Sequence, residues 1–405
     1  MLIRRLKASE TQTSLQMSEF AFQFELNEKE RLQQLEDDQP EQTWVIEMEN
    51  EIVSKATVLP LHVYFNGKVV PMGGVSGVVT WPEHRRGGYV KKLLSHSLNE
   101  MREQGQVLSF LYPFSIPFYR KFGWELFADT EILTLEKHQL PKRETYEGTI
   151  RRLTKDDPLI VDEVYQAWAK KYAGTIVRDS EWWKKSVFKR KKGTISAYFN
   201  AQNEKTGYLI YEVKNRTMTV HEIIWLTPDA RRALLHFISN HDSMIDKAVI
   251  KTVAHDRLPF LLTDPQVKRE VSSYFMARIV DVKAFLSLYP FEFNRDDKPL
   301  ILHITDEFCS WNSGIYILSK STDDNIDNEV KFFGDDTSNS GSGATCSHSP
   351  KKGIHLTVQH LTAILFCTQT PQTLVEEEFI QGDQQSIKVL ESALPTLKPF
   401  IYDFF

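Results

Sequence analysis

Residues 78–94 read VVTWPEHRRGGYVKKLL: an apolar strand, a proline, two arginines, two glycines and the start of an amphipathic helix. That order suits an anion. Backbone N–H groups at a helix start, with positive charge beside them, hold pyrophosphate without a metal. A nucleotide-bearing thioester such as acetyl-CoA needs more. Its pantetheine arm can pair with an exposed strand edge, its carbonyl needs a polarising donor, and its leaving thiolate needs a proton. Val78, Val79 and Thr80 offer the strand edge. Arg85, Arg86, Gly87, Gly88, Tyr89 and Val90, followed by Lys91, offer the anion nest. A basic helix start with no ligand is the plainer alternative.

Other patterns carry less. Trp182–Lys192, WWKKSVFKRKK, mixes aromatic and basic residues as nucleic-acid surfaces do, but reads better as a solvated helix with one apolar face. Asp323-Asp324-Asn325-Ile326-Asp327 resembles a calcium loop, yet Asn328 stands where such a loop needs glycine. His221-Glu222 lacks the second histidine of a zinc helix, and no Walker loop occurs. No metal is expected. Cys309, Cys346 and Cys367 share no ligand or redox spacing, which fits a reducing compartment. A net charge of -5 disfavours general nucleic-acid binding. The basic opening MLIRRLKAS has no apolar h-region, and no apolar run approaches about 18 residues. The expectation is a cytoplasmic protein that does not cross a membrane.

The elements that must position the loop are also legible. The pattern predicts a helix over residues 18–35 with Phe20, Phe24, Leu32 and Leu35 on its core face. Strands follow at 44–48 and 52–59, joined by Glu49-Asn50, and at 61–65 and 69–72, joined by Asn66-Gly67. A further strand over 75–81 leads into the loop. A helix with Val90, Leu93, Leu94, Leu98 and Met101 on one face comes next, then a strand at 107–112 and a short helix at 118–122 ending at Gly123.

Ile3-Arg4-Arg5-Leu6 returns as Ile150-Arg151-Arg152-Leu153, and Pro82-Glu83-His84-Arg85-Arg86 as Pro228-Asp229-Ala230-Arg231-Arg232, at nearly the same offset. This predicts a duplicated domain. The second copy has Ala233-Leu234 where the first has Gly87-Gly88, and a leucine side chain obstructs close approach to a phosphate. At 405 residues the chain has room for a third domain. Residues 335–352, rich in Ser, Gly and Asp, read as a mobile loop within it. The apolar close, PFIYDFF, reads as buried.

The loop Arg85-Arg86-Gly87-Gly88-Tyr89-Val90 resembles that of the GNAT superfamily of N-acetyltransferases. Gly88 matches the first glycine of its pattern, while Val90 replaces a customary small residue. GGVSGVVTWPEHRRGGYVKKLL, FLYPFSIPFYRKFGWE, MARIVD and the aromatic C-terminus together resemble the Eis branch of that superfamily. The resemblance implies an α+β fold with two tandem GNAT-like domains, 1–148 and 149–284, and a sterol-carrier-like domain, 285–405, with only the first binding acetyl-CoA. It implies an N-acetyltransferase acting on aminoglycoside-like or lysine-like amines, and a homo-oligomer, a hexamer in some relatives. By resemblance Tyr119 is the general acid, the Phe405 carboxylate the base, and Phe114-Ser115 contact the thioester arm. A core tyrosine and a tail that merely packs are the plainer readings of these residues. A CoA- or lipid-binding protein without catalysis is the alternative function.

Overall fold

The structure is a computed structural model and describes residues 1–294, 297–321, 328–334 and 352–405. The calcium-like run 323–327, Cys346 and all but the last residue of the proposed loop 335–352 lie outside them. The chain forms two compact units, each assembled from separated stretches of sequence.

The first unit comprises Met1–His62, Val70–Phe127 and Phe275–Leu397. Its larger sheet contains β1 (Leu2–Arg5), β2 (Thr43–Met48), β3 (Glu51–Phe65), β4 (Lys68–Thr80) and β5 (Leu108–Leu111), in that order. The expected pairs of short strands on either side of Asn66-Gly67 are two long ones. β3 runs straight through Pro60, and β4 through Gly73-Gly74. Both hairpin turns have the left-handed residues that a two-residue connection demands: Glu49 and Asn50 at φ 50° and 67°, Asn66 and Gly67 at 47° and 77°.

The helix expected over 18–35 is two helices, α1 (Thr11–Phe22) and α2 (Glu28–Glu36). Gln23 turns left-handed at φ 53°, and Asn27 restarts the helix with a capping box closed by Glu30. The expected core face is wrong as well: Phe20, Phe24 and Leu32 are exposed, and α1 buries Ser14, Leu15 and Met17 instead. What seats α1 is partly polar. Lys55 of β3 sends its buried ammonium to the Ser14 carbonyl, Ser14 Oγ and Ser18 Oγ at 2.7, 2.8 and 2.7 Å.

α3 (Tyr89–Glu103) buries Leu93, Leu94, Leu98 and Met101 as the spacing predicts, and α4 (Ile116–Arg120) follows β5. The rest of the unit is a five-stranded sheet. β13 (Leu300–Thr305), β14 (Gly314–Lys320), β15 (Asn328–Gly334), β16 (Ile354–Thr357) and β17 (Gln381–Gly382) run in the order β15-β14-β13-β16-β17. Helices Val358–Leu365 and Gln384–Ala393 cover it.

The second unit comprises Val63–Val69, Ala128–Tyr274 and Lys398–Phe405. Its strands are β6 (Glu125–Glu136, from Ala128 on), β7 (Thr149–Leu153), β8 (Thr194–Phe199), β9 (Lys205–Lys214), β10 (Thr217–Trp225) and β11 (Lys247–Val253), in the order β7-β8-β9-β10-β11-β6. The repeat is visible in the topology. β4 and β5 are parallel and joined by a helix, and so are β10 and β11, joined by Pro228–Ser239. The first strands of both copies are the Ile-Arg-Arg-Leu segments.

The last strands are exchanged. The first unit closes with residues 276–279 of β12 (Lys268–Ile279) antiparallel to β5, and the second closes with residues 130–136 of β6 antiparallel to β11. The apolar close of the chain is buried, as expected, with Phe400, Ile401, Tyr402 and Asp403 inaccessible. It belongs to the second unit, where Ala173 brackets it: Ala173 N–H donates to the Lys398 carbonyl at 2.9 Å, and Phe400 N–H to the Ala173 carbonyl at 3.0 Å.

Candidate active site

In the first unit β4 and β5 pair only over Met72–Val75 and Leu108–Leu111. β5 then stops, while β4 continues for five residues to Thr80. A parallel pair that parts in this way leaves one strand with backbone donors and acceptors facing the gap. Val78, Val79 and Thr80 lie on that stretch. Val79 is buried, Val78 and Thr80 are half-buried, and Thr80 Oγ1 is 2.7 Å from Ser54 Oγ.

Beyond Thr80 the chain makes a short 3-10 turn, Pro82–His84, and then an exposed corner of Arg85, Arg86, Gly87 and Gly88. Arg86 is left-handed at φ 67° and Gly88 at φ 73°. For arginine that conformation costs about 1–2 kcal/mol, the kind of strain found where backbone is shaped for a ligand. Gly87 has a steric reason: a Cβ there would run into the ring of Tyr89. That ring is half-buried against Trp44, Ile46 and Leu93.

α3 then starts on Gly88 with no side chain capping it and no carboxylate in its first turn. The first N–H groups therefore face outward together with the positive end of a four-turn helix. Lys91 is exposed beside them. Val90 packs against the core around Leu94 and Leu98. Its side chain is thus directed inward, which explains how a bulkier residue replaces the small one at this position.

Tyr119 lies on α4. Its ring is buried at 3% exposure, with the rings of Phe114, Phe118 and Trp124 at 5.4, 5.2 and 6.2 Å. Burial raises its hydroxyl pKa well above the ordinary tyrosine value, with no charged neighbour acting against it. The hydroxyl is therefore held in its protonated form. Phe114 is 70% exposed and precedes Ser115, whose carbonyl accepts the Tyr119 N–H at 3.3 Å.

Residues absent from the sequence-based site hold α4 in place. Arg278, fully buried, donates to the Phe122 carbonyl and to Asp306 Oδ2 at 2.6 Å. Gln359 donates to the Arg120 carbonyl at 2.9 Å. Gly123, at φ 89°, gives way to the Arg278 guanidinium, which occupies the place of a Cβ. Arg278 lies within the MARIVD stretch, but nothing in its spacing points to α4. A second missed group is the aromatic pair Phe20 and Trp81, with rings 5.3 Å apart next to the arginine corner. Helical spacing puts Phe20 on a core face because it cannot tell core from an exposed apolar surface.

The second copy answers differently at each point. Ala233 and Leu234 are not in a loop at all: they are buried inside the helix Pro228–Ser239. The glycine corner has been replaced by helix. Its N-terminus is capped by Thr227, whose Oγ1 accepts the Ala230 N–H at 3.1 Å, and Asp229 adds negative charge to the first turn. That N-terminus already has a side-chain cap, and Asp229 is paired with Arg232 at 2.9 Å, so fewer of its donors are open to a ligand than at the start of α3. β10 and β11 also part, after Val220 and Ile250. Here Tyr402 fills the gap, its hydroxyl 3.3 Å from the carbonyls of both Ile223 and Lys251.

Phe405 lies in this second unit, 8% exposed, with its ring 6.2 Å from that of Trp182. Among the described residues no group of three His, Cys, Asp or Glu side chains is arranged to hold a metal, and no helix is long and apolar enough to cross a membrane.

Comparison with known proteins bears on the same parts of the chain. Residues 2–127 match the acetyltransferase (GNAT) domain family, and residues 174–279 match a second acetyltransferase (GNAT) domain family. Residues 282–402 match the sterol carrier protein domain. An uncharacterized N-acetyltransferase of Streptomyces griseus is 24% identical over 283 residues, 63% of this chain and 67% of that one. N-acetyltransferase Eis of Mycobacterium tuberculosis is 24% identical over 273 residues, covering 64% and 67%. The chain belongs to the Eis-like family of GNAT acetyltransferases.

Solved structures share the whole architecture of this Eis-like chain. A probable N-acyltransferase from Enterococcus faecalis superposes with a TM-score of 0.89 at 24% identity, over 100% of this chain and 99% of that one. Eis1 from Mycobacterium abscessus does so at 0.79 and 18%, over 100% of both. The α+β fold expected from the resemblance, tandem GNAT domains followed by a sterol carrier protein domain, is the fold observed.

Proposed function

We propose that this N-acetyltransferase transfers the acetyl group of acetyl-CoA to a primary amine by direct attack. The carrying observation is the uncapped, strained corner Arg85–Gly88 at the start of α3, beside the unpaired end of β4. On this reading Arg85, Arg86 and the N–H groups from Gly87 to Lys91 hold the pyrophosphate. Val78, Val79 and Thr80 pair with the pantetheine arm, and Phe114 and Ser115 border the thioester. Within the proposed domain 1–148 these parts form one strand-turn-helix unit with α4 next to it.

The reaction forms a C–N bond and breaks the C–S bond. The nucleophile loses a proton and the leaving thiolate gains one, from Tyr119. At reference values tyrosine, near 10, lies above a thiol, near 8.5, so that transfer is uphill by about 2 kcal/mol. Burial of Tyr119 widens the gap. A thiolate released into the same apolar surroundings is raised too, which narrows it again. An alkyl amine of pKa near 10 is only about 0.1% neutral at pH 7, so a base must assist. The Phe405 carboxylate holds that role by resemblance. Burial pushes the Cys309 thiol up to about 12, which argues against a covalent acetyl intermediate on that residue.

Aminoglycoside-like or lysine-like amines are the proposed acceptors, and a cytoplasmic homo-oligomer, a hexamer by resemblance, the proposed form. A thiol-release assay with acetyl-CoA against aminoglycosides, polyamines and lysine peptides tests the reading. Turnover with at least one class is expected. CoA binding without turnover across the panel would overturn it in favour of a CoA-binding protein. Light scattering of the purified chain checks the assembly.

A further inference from the structure

The second unit contains a cavity of about 170 Å³ that the acetyl-transfer reading does not use. A water's share of the liquid is about 30 Å³, so the space takes a ligand of several non-hydrogen atoms. Arg190, Lys191, His221, Lys251, Tyr274 and Asp403 line it, with Val187 and Phe404 as apolar wall. It lies where β10 and β11 part, the place that corresponds to the open strand edge of the first copy. Tyr402 fills only part of that gap.

Among the side chains that line this cavity, Arg190, Lys191 and Lys251 outnumber Asp403; the terminal carboxylate of Phe405 follows directly on the lining residue Phe404. Asp403, the carboxylate among the lining residues, is already engaged: Arg178 Nε reaches it at 3.0 Å and Trp182 Nε1 at 2.9 Å. Glu222, behind it, takes a bidentate fork from Arg178 at 2.9 and 2.8 Å, the Tyr208 hydroxyl at 2.5 Å and the Lys191 ammonium. That leaves Lys251, half-buried, with no carboxylate bridging it among the described residues. Its ammonium sits 4.1 Å from the Tyr274 ring centre.

His221 follows directly on the Val220–Ile250 pair, as Lys251 does on the facing strand. His221 is the extra residue of a β-bulge against β9, a device that re-aims a side chain. Its Nε2 is buried with no hydrogen-bond partner. A half-buried cation with no carboxylate bridging it and a buried ring nitrogen without a partner are both costly, and one anion would relieve both.

We propose that this cavity is a binding site for a small carboxylate, with Lys251 as its counter-ion, His221 as a further polar partner and Arg190 at its exposed mouth; the Tyr274 hydroxyl is already donated to the Asp403 carbonyl at 3.0 Å, so Tyr274 contributes its ring as wall. The site depends on the second unit alone and not on the acetyl-transfer reading. Burial and the charge of Lys191 push the Lys251 ammonium down to about 7 in the empty site. Asp403 and Glu222 act against that lowering, and Arg178 adds to it. Binding an anion would draw a proton onto Lys251, so affinity should fall as pH rises above 7.

The test is calorimetric titration of the full chain with acetate, propionate and, as an uncharged control, acetamide, at pH 6.5 and 8.5. Carboxylate binding at one site per chain is expected. It should weaken at least fivefold at the higher pH and at least tenfold in Lys251→Met, and persist in Arg85→Ala, which disables the pyrophosphate corner. Methionine keeps the stem of Lys251 and removes a buried charge, so the fold should survive; Arg190→Met serves as a second variant and should weaken binding without touching the interior. No carboxylate binding, equal response to acetamide, or full affinity in both variants would overturn the proposal. Loss of binding in Arg85→Ala alone would assign the anion to the pyrophosphate corner instead.

Discussion

At the scale of single residues, the roles proposed for Tyr119 and Gly88 are separable. Tyr119 is buried among aromatic rings and has no charged neighbour, so removing its hydroxyl changes chemistry rather than packing. Tyr119→Phe should lower kcat by about 10²-fold or more, the usual worth of a positioned general acid, and leave the Kd for CoA within about twofold. Pre-steady-state thiol release alongside equilibrium CoA titration checks the split. Gly88→Val should do the reverse. Valine at φ 73° is strained, and no neighbouring atom would block its side chain, so the corner itself must rearrange. The expected outcome is at least a tenfold weaker Kd for CoA with a melting temperature lowered by only a few degrees, about the cost of one strained residue.

At the scale of elements, α4 depends on contacts from far along the sequence. Its C-terminal turn is held by Arg278, Asp306 and Gln359. Gly123→Ala sets a methyl group against a fully buried guanidinium that is tied to Asp306, and should destabilise the first unit by about 1–3 kcal/mol. Activity should fall together with stability, as read by denaturant unfolding and by the acetyl-transfer rate.

The helices at the two copies' strand ends show how one element type serves opposite ends. α3 begins with bare N–H groups, and Pro228–Ser239 begins with Thr227 and Asp229 already in place. The strand patterns, the two hairpin turns and the apolar face of α3 were legible because they rest on local spacing. The break in the first helix was not: Gln23 in a left-handed conformation and a capping box at Asn27 outweighed a continuous polar-apolar pattern.

At the scale of the whole molecule, the second unit is organised around a buried guanidinium. Arg178 binds Glu222 and Asp403 and stacks on the rings of Tyr165 and Trp183 at 3.7 and 4.4 Å. Asp403 comes from the last stretch of the chain, so the network fastens that stretch to the repeat. Arg178→Met strands two buried carboxylates and should cost about 3–5 kcal/mol in denaturant unfolding.

The pH dependence has a definite sign. Burial by itself would raise the pKa of Glu222, but the charges and hydrogen bonds of Arg178 and Lys191 outweigh it and hold the carboxyl well below its usual range. Stability from this group is therefore present above about pH 4.5 and is lost as pH falls toward its depressed folded value. Glu222→Gln should lower stability at pH 7 and flatten its decline below pH 4.5, as measured by unfolding at a series of pH values.

The sequence alone determined the parts whose physics is local. A run of glycine after arginine at a helix start can bind an anion, Asn-Gly makes a hairpin, and two Ile-Arg-Arg-Leu segments at one spacing mark a repeat. Tertiary structure decided what depends on partners distant along the chain. The last strand of each unit comes from the other repeat's stretch of sequence, because β12 pairs with β5 and β6 with β11. In the second copy Leu234 turns out to be buried within a helix, the start of that helix is capped by Thr227, and Tyr402 from the last stretch of the chain fills part of the gap between β10 and β11. The raised pKa of Tyr119 likewise follows from burial, which the residue's neighbours in sequence supply only in part and the packed core completes.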